Sequence, residues 1–309
     1  MQIPKIDSTF KIICLGCAAL AGLLTVGFLV QLGTSSTEAW REFGWGFLFS
    51  REWDPVADRY GALPSLTGTV LTTIIALVFA IPLAFWAAMF LVDARPVVSG
   101  ILSQAVDLLA AIPSVIYGMW GLFVLAPMMQ KHIQPFLIDA LQVSKIPWLG
   151  KIIGTEHNGF GLLTAGLILA IMILPYMCAV MRDVFRMTPP LLKEAAYGLG
   201  CTKCETTKDV VLRYGIRGIL GGVFIGLWRA LGETMAVMFV IGNQMTMPKT
   251  LFSGASTIPT TLANNFSEAD GLQRSSLFAL GLILLLLCLG IQFLSQYYLH
   301  ATKQNGDEL

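Results

Sequence analysis

The sequence predicts an all-α integral membrane protein with about six transmembrane helices. Three observations support this fold class: 55% of the 309 residues are hydrophobic, only 13% are charged, and the apolar residues are gathered in long runs. Soluble domains carry about 25% charged residues, so this chain has too few charges for an ordinary wet surface. Because lipid offers no hydrogen bonds, each run must satisfy its own backbone groups, which favours helices.

Six apolar runs reach the roughly 20 residues that a helix needs to cross a bilayer. The first, residues 12–32, is predicted to be a retained helix, because it is longer than the roughly 7–15 apolar residues of a signal peptide; a cleaved signal is the lesser alternative. Pro82, Pro113 and Pro175 lie inside three later runs, where proline frees carbonyl groups and kinks the axis. The later runs lie within residues 62–92, 97–129, 159–181, 218–242 and 275–299.

Lysine and arginine in the loops predict the orientation, because cytoplasmic loops carry an excess of these residues. With the N-terminus inside, eleven of them lie in inner segments and eight in outer segments, and the inner segments are the shorter. Seven of the eleven lie between the fourth and fifth runs. Both termini are therefore expected to be cytoplasmic.

The runs divide the chain into three parts. Residues 1–61 hold the first helix and an external segment rich in aromatic rings, which either anchors at the headgroup layer or forms a docking rim for an external partner. Residues 62–301 form the transmembrane core, with a cytoplasmic loop at 182–217. Residues 302–309 are expected to be a cytoplasmic tail.

The loop at 182–217 is expected to form a compact helix–turn–helix that docks to a soluble partner. Glu194, Ala195 and Ala196 suit a helix, and Gly200 allows the chain to turn sharply after it. A second short helix is expected from Thr206. We expect such a rigid knob with mixed charges to bind another protein on the cytoplasmic face.

This loop resembles the coupling-loop motif of ABC importer permeases. Glu-Ala-Ala is followed by three residues, then Gly200, and later by the aliphatic Val210 and Leu212. Arg213 stands where that family often has proline, so the second helix is expected to end differently. The resemblance implies that Glu194, Ala195, Ala196 and Gly200 couple the chain to an ATPase subunit.

Arg229 and Glu233 lie inside the fifth run, where a charge costs at least ~2.5–3.5 kcal/mol and faces the protein interior. Being four residues apart, they are expected on one helix face. They either form a mutually satisfied pair that only holds helices together, or Arg229 helps to pass an anion, since its planar fork suits phosphate oxygens. Glu233 would then accept the hydrogen of protonated phosphate, which sulfate lacks near neutrality.

The segment from Arg229 through Glu233 and Thr234 resembles the signature of phosphate-specific permeases. Residues 241–243, 43–55 and 112–118 point the same way, whereas the loop at 131–158 matches least. The resemblance covers nearly the whole chain. It implies a type I ABC importer permease fold with a cytoplasmic coupling helix, in a bacterial cytoplasmic (inner) membrane, that translocates inorganic phosphate.

Asp107 is the remaining charged residue within a run and is assigned to the candidate substrate pathway with Arg229, Glu233 and Thr234. It is expected to pair with Arg229 or to lie near either membrane surface. A buried, hydrogen-bonded carboxylate without a transport role is an equal alternative. Ser114 and Tyr117 are weaker candidates for the pathway, because hydroxyl groups in helices often bond to the backbone.

The resemblance implies three partners: a second permease subunit of similar fold, ATPase subunits on the cytoplasmic side and an external phosphate-binding protein. The chain has no Walker loop, so ATP hydrolysis is expected on the separate chain. Membrane lipid surrounds the helices, and a net charge of +1 without a basic stripe argues against nucleic acid. No cofactor or metal is expected, because Cys201 and Cys204, like Cys14 and Cys17, have no histidine close in sequence.

Two alternatives remain open from the sequence. The first is a permease for another oxyanion, such as molybdate, tungstate or sulfate, which would use the same coupling loop. The second is a non-transporting membrane scaffold that senses phosphate. A membrane-embedded enzyme is a weaker option, because only Asp107, Arg229 and Glu233 are charged within the runs.

Overall fold

The computed structural model describes residues 5–140, 150, 153–154 and 158–304. Lys145 and Lys151, counted above as outer charges, and most of the tail at 302–309 lie outside these ranges. Within them, five helices are long and apolar enough to cross a membrane, or six if one bent pair forms a single span. The all-α membrane fold is therefore confirmed.

The helices follow one another with short connections, except for the outer segments. Pairing between extended segments is limited, in the described chain, to isolated bridges of Asp54 with Arg59 and of Gly242 with Ala255. In order the helices are α1 (Lys5–Ser35), α2 (Thr37–Phe43), α3 (Gly46–Phe49), α4 (Leu63–Asp93), α5 (Pro96–Ala111), α6 (Ser114–Trp120), α7 (Leu162–Arg186), α8 (Pro190–Gly198), α9 (Lys203–Leu231), α10 (Met235–Met238), α11 (Ile258–Asn265) and α12 (Gly271–Gln304). Wider π-helical turns occur after α6 at Gly121–Leu125, Met129–Ile133 and Phe136–Ala140, and inside α9 at Thr207–Val211.

The third predicted span is bent, which corrects the expectation of one run over residues 97–129. Helix α5 ends at Ala111, and the segment Ser114–Ile138 leaves it at an angle of 92°. Pro113 explains the bend, because it lacks an N–H and pushes the preceding residue out of the α region. Ile112 accordingly adopts an extended ψ of 128°.

Helix α7 lies at the centre of the molecule and packs against α4, α5 and α9. Helix α4 approaches the core through alanines spaced four residues apart, which leave little side-chain volume between the helices. These are Ala76, Ala80, Ala84 and Ala88, all fully buried. Pro82 and Pro175 are accommodated inside α4 and α7 without ending either helix.

The glycines on one face of α9 act as packing residues. A Cβ atom added at Gly218 would lie 2.3 Å from Cγ2 of Val184, and one at Gly226 would lie 2.6 Å from Sδ of Met177. Gly221, on another face of α9, has open space around the same position. The glycines therefore allow α9 to lie directly against α7.

The fifth predicted span is displaced along the chain. Helix α9 covers Lys203–Leu231 instead of residues 218–242, and the second helix of the coupling loop begins at Lys203, not at Thr206. A capping box fixes this start, because the Thr202 N–H donates to Glu205 Oε2 at 2.7 Å and the Glu205 N–H donates to Thr202 Oγ1 at 3.3 Å. The helix then continues past Arg213 into the span without ending.

The aromatic external segment folds onto the outer ends of the spans. Phe47 and Tyr60 are buried against Ile258 and Leu277 of α11 and α12. The Ser275 hydroxyl accepts a bond from the Ala39 N–H at 3.0 Å, which joins α2 to α12. Burial, aided by the neighbouring Asp58 carboxylate, raises the pKa of Tyr60 to about 12.

Candidate substrate pathway and coupling loop

Arg229 lies at the same depth as the middle of α7, the central helix. Helices α9 and α7 run in opposite directions, since Gly218 faces Val184 and Gly226 faces Met177. Met177 is close to the midpoint of Leu162–Arg186. A charged residue at the depth of the middle of a neighbouring span is costly and normally functional.

The guanidinium of Arg229 is held by an aromatic ring. Its Cζ atom lies 4.3 Å from the centroid of the Tyr176 ring, a cation–π contact. The side chain is half-buried, and its Nε atom is buried without a hydrogen-bond partner among the described residues. The ring fixes the charge in place and leaves a donor available, which suits a transient contact with an anion.

Two tyrosines tie this site to the bend between α5 and α6. Pro113 has no N–H for the Leu109 carbonyl, and that oxygen accepts instead from the Tyr117 hydroxyl at 2.8 Å. The next carbonyl, that of Ala110, accepts from the Tyr176 hydroxyl at 2.5 Å. The Tyr176 hydroxyl therefore provides a donor for a backbone carbonyl at the end of α5, while the Tyr176 ring packs against the guanidinium of Arg229.

Glu233 and Thr234 lie in a break between helices, so the prediction that Arg229 and Glu233 share one helix face is wrong. Helix α9 ends at Leu231, and Gly232 follows as its C-cap. Glu233 Oε1 accepts from the Ala236 N–H at 3.1 Å and thereby caps α10. The Thr234 hydroxyl donates to the Gly232 carbonyl at 3.5 Å. No ion pair joins Arg229 to Glu233 in the described structure, which corrects the alternative of a mutually satisfied pair.

The break between α9 and α10 explains why the apolar run by itself misplaced the fifth span. Glycine has a low helix propensity, and acidic side chains are stabilised at helix starts. Leu231 and Val237 on either side are both buried, so the apolar pattern continues across the break. Near the middle of a membrane, such a break exposes polar backbone groups, which are tolerated where they face protein or a water-filled path.

Asp107 pairs with Arg182 and not with Arg229. Its Oδ1 atom lies 3.5 Å from Nη1 of Arg182, whose side chain is only 10% exposed, whereas that of Asp107 is 55% exposed. Nε of Arg182 also donates to Asp183 at 3.2 Å. Arg182 was expected in the inner loop because the fourth apolar run ends at residue 181. In the structure, α7 continues to Arg186 and includes it. The adjacent Arg182 and Asp183 were the signal that could have identified a second buried cation.

The coupling loop has the predicted helix and turn. Glu194 and Ala195 are exposed on α8, whereas Ala196 is buried. Gly200 adopts a φ of +89°, which is strained for residues with a Cβ atom. The Cys201 N–H donates to the Ala196 carbonyl at 3.1 Å, the closing bond of a Schellman turn.

An exposed apolar face on α8 was not recognised from the sequence. Leu191 and Leu199 point away from the rest of the chain, with Leu199 87% exposed. They lie four residues on either side of the exposed Ala195, which puts the three on one side of the helix and its C-cap. Contiguous exposed apolar side chains of this kind are typical of surfaces that contact another protein or the membrane.

Comparison with known proteins gives the family. The model of the family described as "Binding-protein-dependent transport system inner membrane component" matches residues 62–303. A Haemophilus influenzae protein named phosphate transport system permease protein PstC is 45% identical over 97% of this chain and 95% of its own length. The chain belongs to this family, in its PstC branch. A second PstC, from Mesorhizobium japonicum, is 46% identical over 95% of this chain and 90% of its own length.

The PstC branch extends to distant organisms and the fold to other permeases. A probable PstC from Methanocaldococcus jannaschii is 33% identical over 98% of this chain and 96% of its own length. A structure of the MetNI methionine ABC transporter, solved facing inward, superposes with a TM-score of 0.54 at 16% identity and covers 78% of this chain and 94% of that one. This likeness concerns the fold alone and confirms the type I importer permease fold. As a permease with several spans, the chain is a multi-pass membrane protein.

Proposed function

We propose that the chain is the permease subunit of an ATP-driven importer that carries inorganic phosphate across the bacterial cytoplasmic membrane. The PstC relatives are named as phosphate transport permeases and align along nearly the whole chain. The observation that carries the proposal is Arg229, a cation held at mid-span with a buried, unpaired Nε atom. The relatives do not favour another oxyanion or a sensing scaffold.

Arg229 is proposed as a transient phosphate contact. Its guanidinium presents a planar fork that suits phosphate oxygens, and the Tyr176 ring keeps it from moving toward a competing carboxylate. Asp107 is occupied by Arg182, so it does not neutralise Arg229. A single cation of this kind attracts an anion without holding it tightly, which rapid release into the cell requires.

Glu233 is proposed to recognise the proton of phosphate. One carboxylate oxygen, Oε1, is engaged with the Ala236 N–H, so Oε2 is the atom that would accept a hydrogen from the substrate. Protonated phosphate offers such a hydrogen near neutrality and sulfate does not. Thr234, in the same break, is proposed to line the path with its hydroxyl.

The loop from Glu194 to Leu212 is proposed to transmit motion from the ATPase subunits. The apolar row on α8 and the exposed Glu194 supply a docking face, and α9 carries any displacement of that face directly to Arg229. A second permease of similar fold would complete the pathway, and an external phosphate-binding protein would deliver substrate. Both termini are proposed to lie in the cytoplasm, a placement that the excess of basic residues in the inner loops supports.

The family match over residues 62–303 supports dividing the chain into an N-terminal part, 1–61, and a permease core, 62–301. The first part would then be an addition to the conserved transport unit. Its aromatic segment is packed on α11 and α12 but leaves Trp45 78% exposed. This outer surface is proposed as the rim on which the binding protein docks.

The test is uptake of radiolabelled phosphate at micromolar concentration by phosphate-starved cells that lack the chain. Plasmids would supply wild type, Arg229→Gln or Glu194→Ala, with molybdate and sulfate uptake measured in parallel. We expect Arg229→Gln to lower phosphate uptake by about tenfold or more, since one charged hydrogen bond contributes about 1.5–3 kcal/mol. Glu194→Ala should lower uptake and leave the amount of protein in the membrane unchanged.

Two matched controls make the test specific. Arg274 also lies over a ring, that of Phe266 at 5.8 Å, but it is exposed at the start of α12, so Arg274→Gln should transport normally. Glu268→Ala removes an exposed acid from the turn before α12, outside the aromatic segment, and should do the same. If cells that lack the chain took up phosphate normally but lost molybdate or sulfate uptake, the proposed substrate would be wrong. If loss of the chain changed the uptake of none of the three anions, the transport role would be wrong.

A further inference from the structure

A groove separates the inner halves of α4 and α9 and has a cavity volume of about 840 Å³. Helix α4 contributes its last turns and α9 its first turns to the two walls. Trp86 and Phe90 on the α4 wall are strongly exposed, although they belong to a span. The groove lining is Phe85, Trp86, Met89, Phe90, Asp93, Ala94, Lys203, Cys204, Thr207, Lys208 and Leu212.

The polarity of this lining changes along the groove. Asp93 and Lys203 lie at one end, where their side chains form an ion pair of 3.1 Å. Phe85 and Leu212 lie at the other end, and Phe85 is about 12 Å from Asp93 along the helix axis. The groove is therefore charged at the end of the spans and apolar toward their middle, which is the polarity of a phospholipid lying along the membrane normal.

The charges at the end of the groove that holds Asp93 and Lys203 favour an anion. Lys208 lines the groove and has no ion-pair partner in the part of the chain that the structure describes. With Lys203 and Asp93, the lining carries a net charge of +1 (two lysines and one aspartate). The nearby acids are engaged elsewhere, Glu205 by Thr202 and Asp209 by Arg213 at 3.5 Å.

A buried polar group lies beside the charged end. The Thr206 hydroxyl is buried and has no hydrogen-bond partner among the described residues. It lines a small cleft that adjoins the groove and shares Asp93, Lys203 and Thr207 with it. The same cleft is lined by Lys193 and Tyr197 of α8, so a headgroup at this end would contact the coupling loop.

We propose that this groove binds an anionic phospholipid of the inner leaflet, with its acyl chain along Phe85, Trp86 and Leu212 and its headgroup phosphate against Lys203 and Lys208. Basic pockets between spans on the cytoplasmic side bind lipid phosphates in this way. Lysine stems also reach along apolar surfaces and keep their charge at the interface. The inference rests on the proposed topology, because only then does the charged end face the leaflet rich in anionic lipid.

The lipid would connect the membrane to the coupling mechanism. One wall is α4, and the other is the first part of α9, which begins directly after the Gly200 turn. A headgroup wedged between them would hold the start of α9 away from α4. Bound lipid is therefore expected to affect the coupling loop and not the phosphate contact at Arg229.

The test uses the assembled importer complex, extracted in mild detergent and equilibrated with vesicles of equal parts phosphatidylglycerol and phosphatidylcholine. Native mass spectrometry then counts each lipid retained by the complex. We expect retention of phosphatidylglycerol over phosphatidylcholine, and about fivefold less phosphatidylglycerol for Lys208→Gln, the effect of one lysine near an anionic headgroup. Lys11→Gln is the matched control, because Lys11 is another exposed lysine expected at the cytoplasmic end of a span.

A second variant fills the groove without changing its charge. Met89→Trp places a larger side chain on the lining and should also displace phosphatidylglycerol, while the yield of intact complex reports on folding. Equal retention of phosphatidylglycerol by wild type and Lys208→Gln, or equal retention of the two lipids by wild type, would overturn the proposal. Loss of the ATPase subunit from the Met89→Trp complex with unchanged lipid would assign the groove to that subunit instead. Uptake by wild type tests the transport function separately, so either proposal can fail alone.

Discussion

At the scale of single residues, Tyr176 has two separate roles in the candidate pathway. The Tyr176 ring lies under the guanidinium of Arg229, and its hydroxyl donates to the Ala110 carbonyl. That carbonyl is free because Pro113 interrupts the helix. The position of the cation is thus linked to the bend between α5 and α6, and a change at either place is expected to affect the other.

Replacing Tyr176 by Phe should separate these two roles. The variant keeps the ring but leaves the Ala110 carbonyl without its donor, so the purified complex should lose about 1–3 kcal/mol of stability with a small effect on uptake. Tyr176→Leu also removes the cation–π contact, and phosphate uptake should fall further. Thermal unfolding in detergent and uptake in cells are the measurements.

Tyr214→Phe is the control for these variants, since Tyr214 lies in the first half of α9 and is half exposed. It should alter neither quantity. If Tyr176→Leu transported phosphate as well as Tyr176→Phe does, the proposed support of Arg229 by the ring would be wrong.

At the scale of elements, the coupling loop is a turn whose geometry is fixed from both sides. On the α8 side the Cys201 N–H closes the Schellman turn on Ala196, and on the α9 side Thr202 and Glu205 form the capping box. Gly200, between them, has a φ of +89°. The two helices are therefore joined by three consecutive constrained residues, which suits an element that must transmit force without bending.

Gly200→Ala tests that constraint. A Cβ at Gly200 would meet no atom within 4 Å, so any cost comes from the left-handed backbone alone, about 1–2 kcal/mol. We expect lower thermal stability and weaker stimulation of ATP hydrolysis by phosphate-loaded binding protein in reconstituted vesicles. Gly198→Ala is the matched control, because Gly198 also has open space but lies at the end of α8 with ordinary φ. Gly198→Ala should be neutral or stabilising, and equal behaviour of the two variants would contradict the argument.

At the scale of the whole molecule, the two ends of the spans have different chemistry. One end carries the buried aromatic unit of the external segment, with Phe47 and Tyr60 at its centre. The opposite end carries the coupling loop and seven of the basic residues. In the proposed topology, this separation leaves one face for the binding protein outside and one face for the ATPase subunits inside.

Cysteine labelling should establish the orientation. Val56 lies at the tip of the external segment and is 96% exposed, and Cys204 is exposed beside the coupling loop. In a variant whose other cysteines are replaced by serine, Val56→Cys should react with a membrane-impermeant maleimide in intact spheroplasts, whereas Cys204 should react only after permeabilisation. The reverse order of labelling would invert the proposed topology and with it the lipid site.

The sequence by itself determined the membrane class, the number of spans and the coupling motif. Long uncharged runs have no stable alternative to helices in lipid, and the Gly200 turn depends on local backbone preference. Both kinds of information are contained in short stretches of chain, so composition and spacing were sufficient. The small-residue face of α9 is also visible in the sequence, because Gly218, Gly222 and Gly226 repeat at helical spacing.

Only the tertiary structure decided which charges meet. Asp107 and Arg182 are far apart in sequence and pair because α5 packs on α7, and no periodicity contains that information. The end of α9 at Leu231 was hidden as well, since apolar residues continue on both sides of Gly232. Partner choice among buried charges depends on helix packing, which is set by contacts between distant segments. This is why the sequence placed Arg229 and Glu233 in one apolar run but left open whether the two form an ion pair.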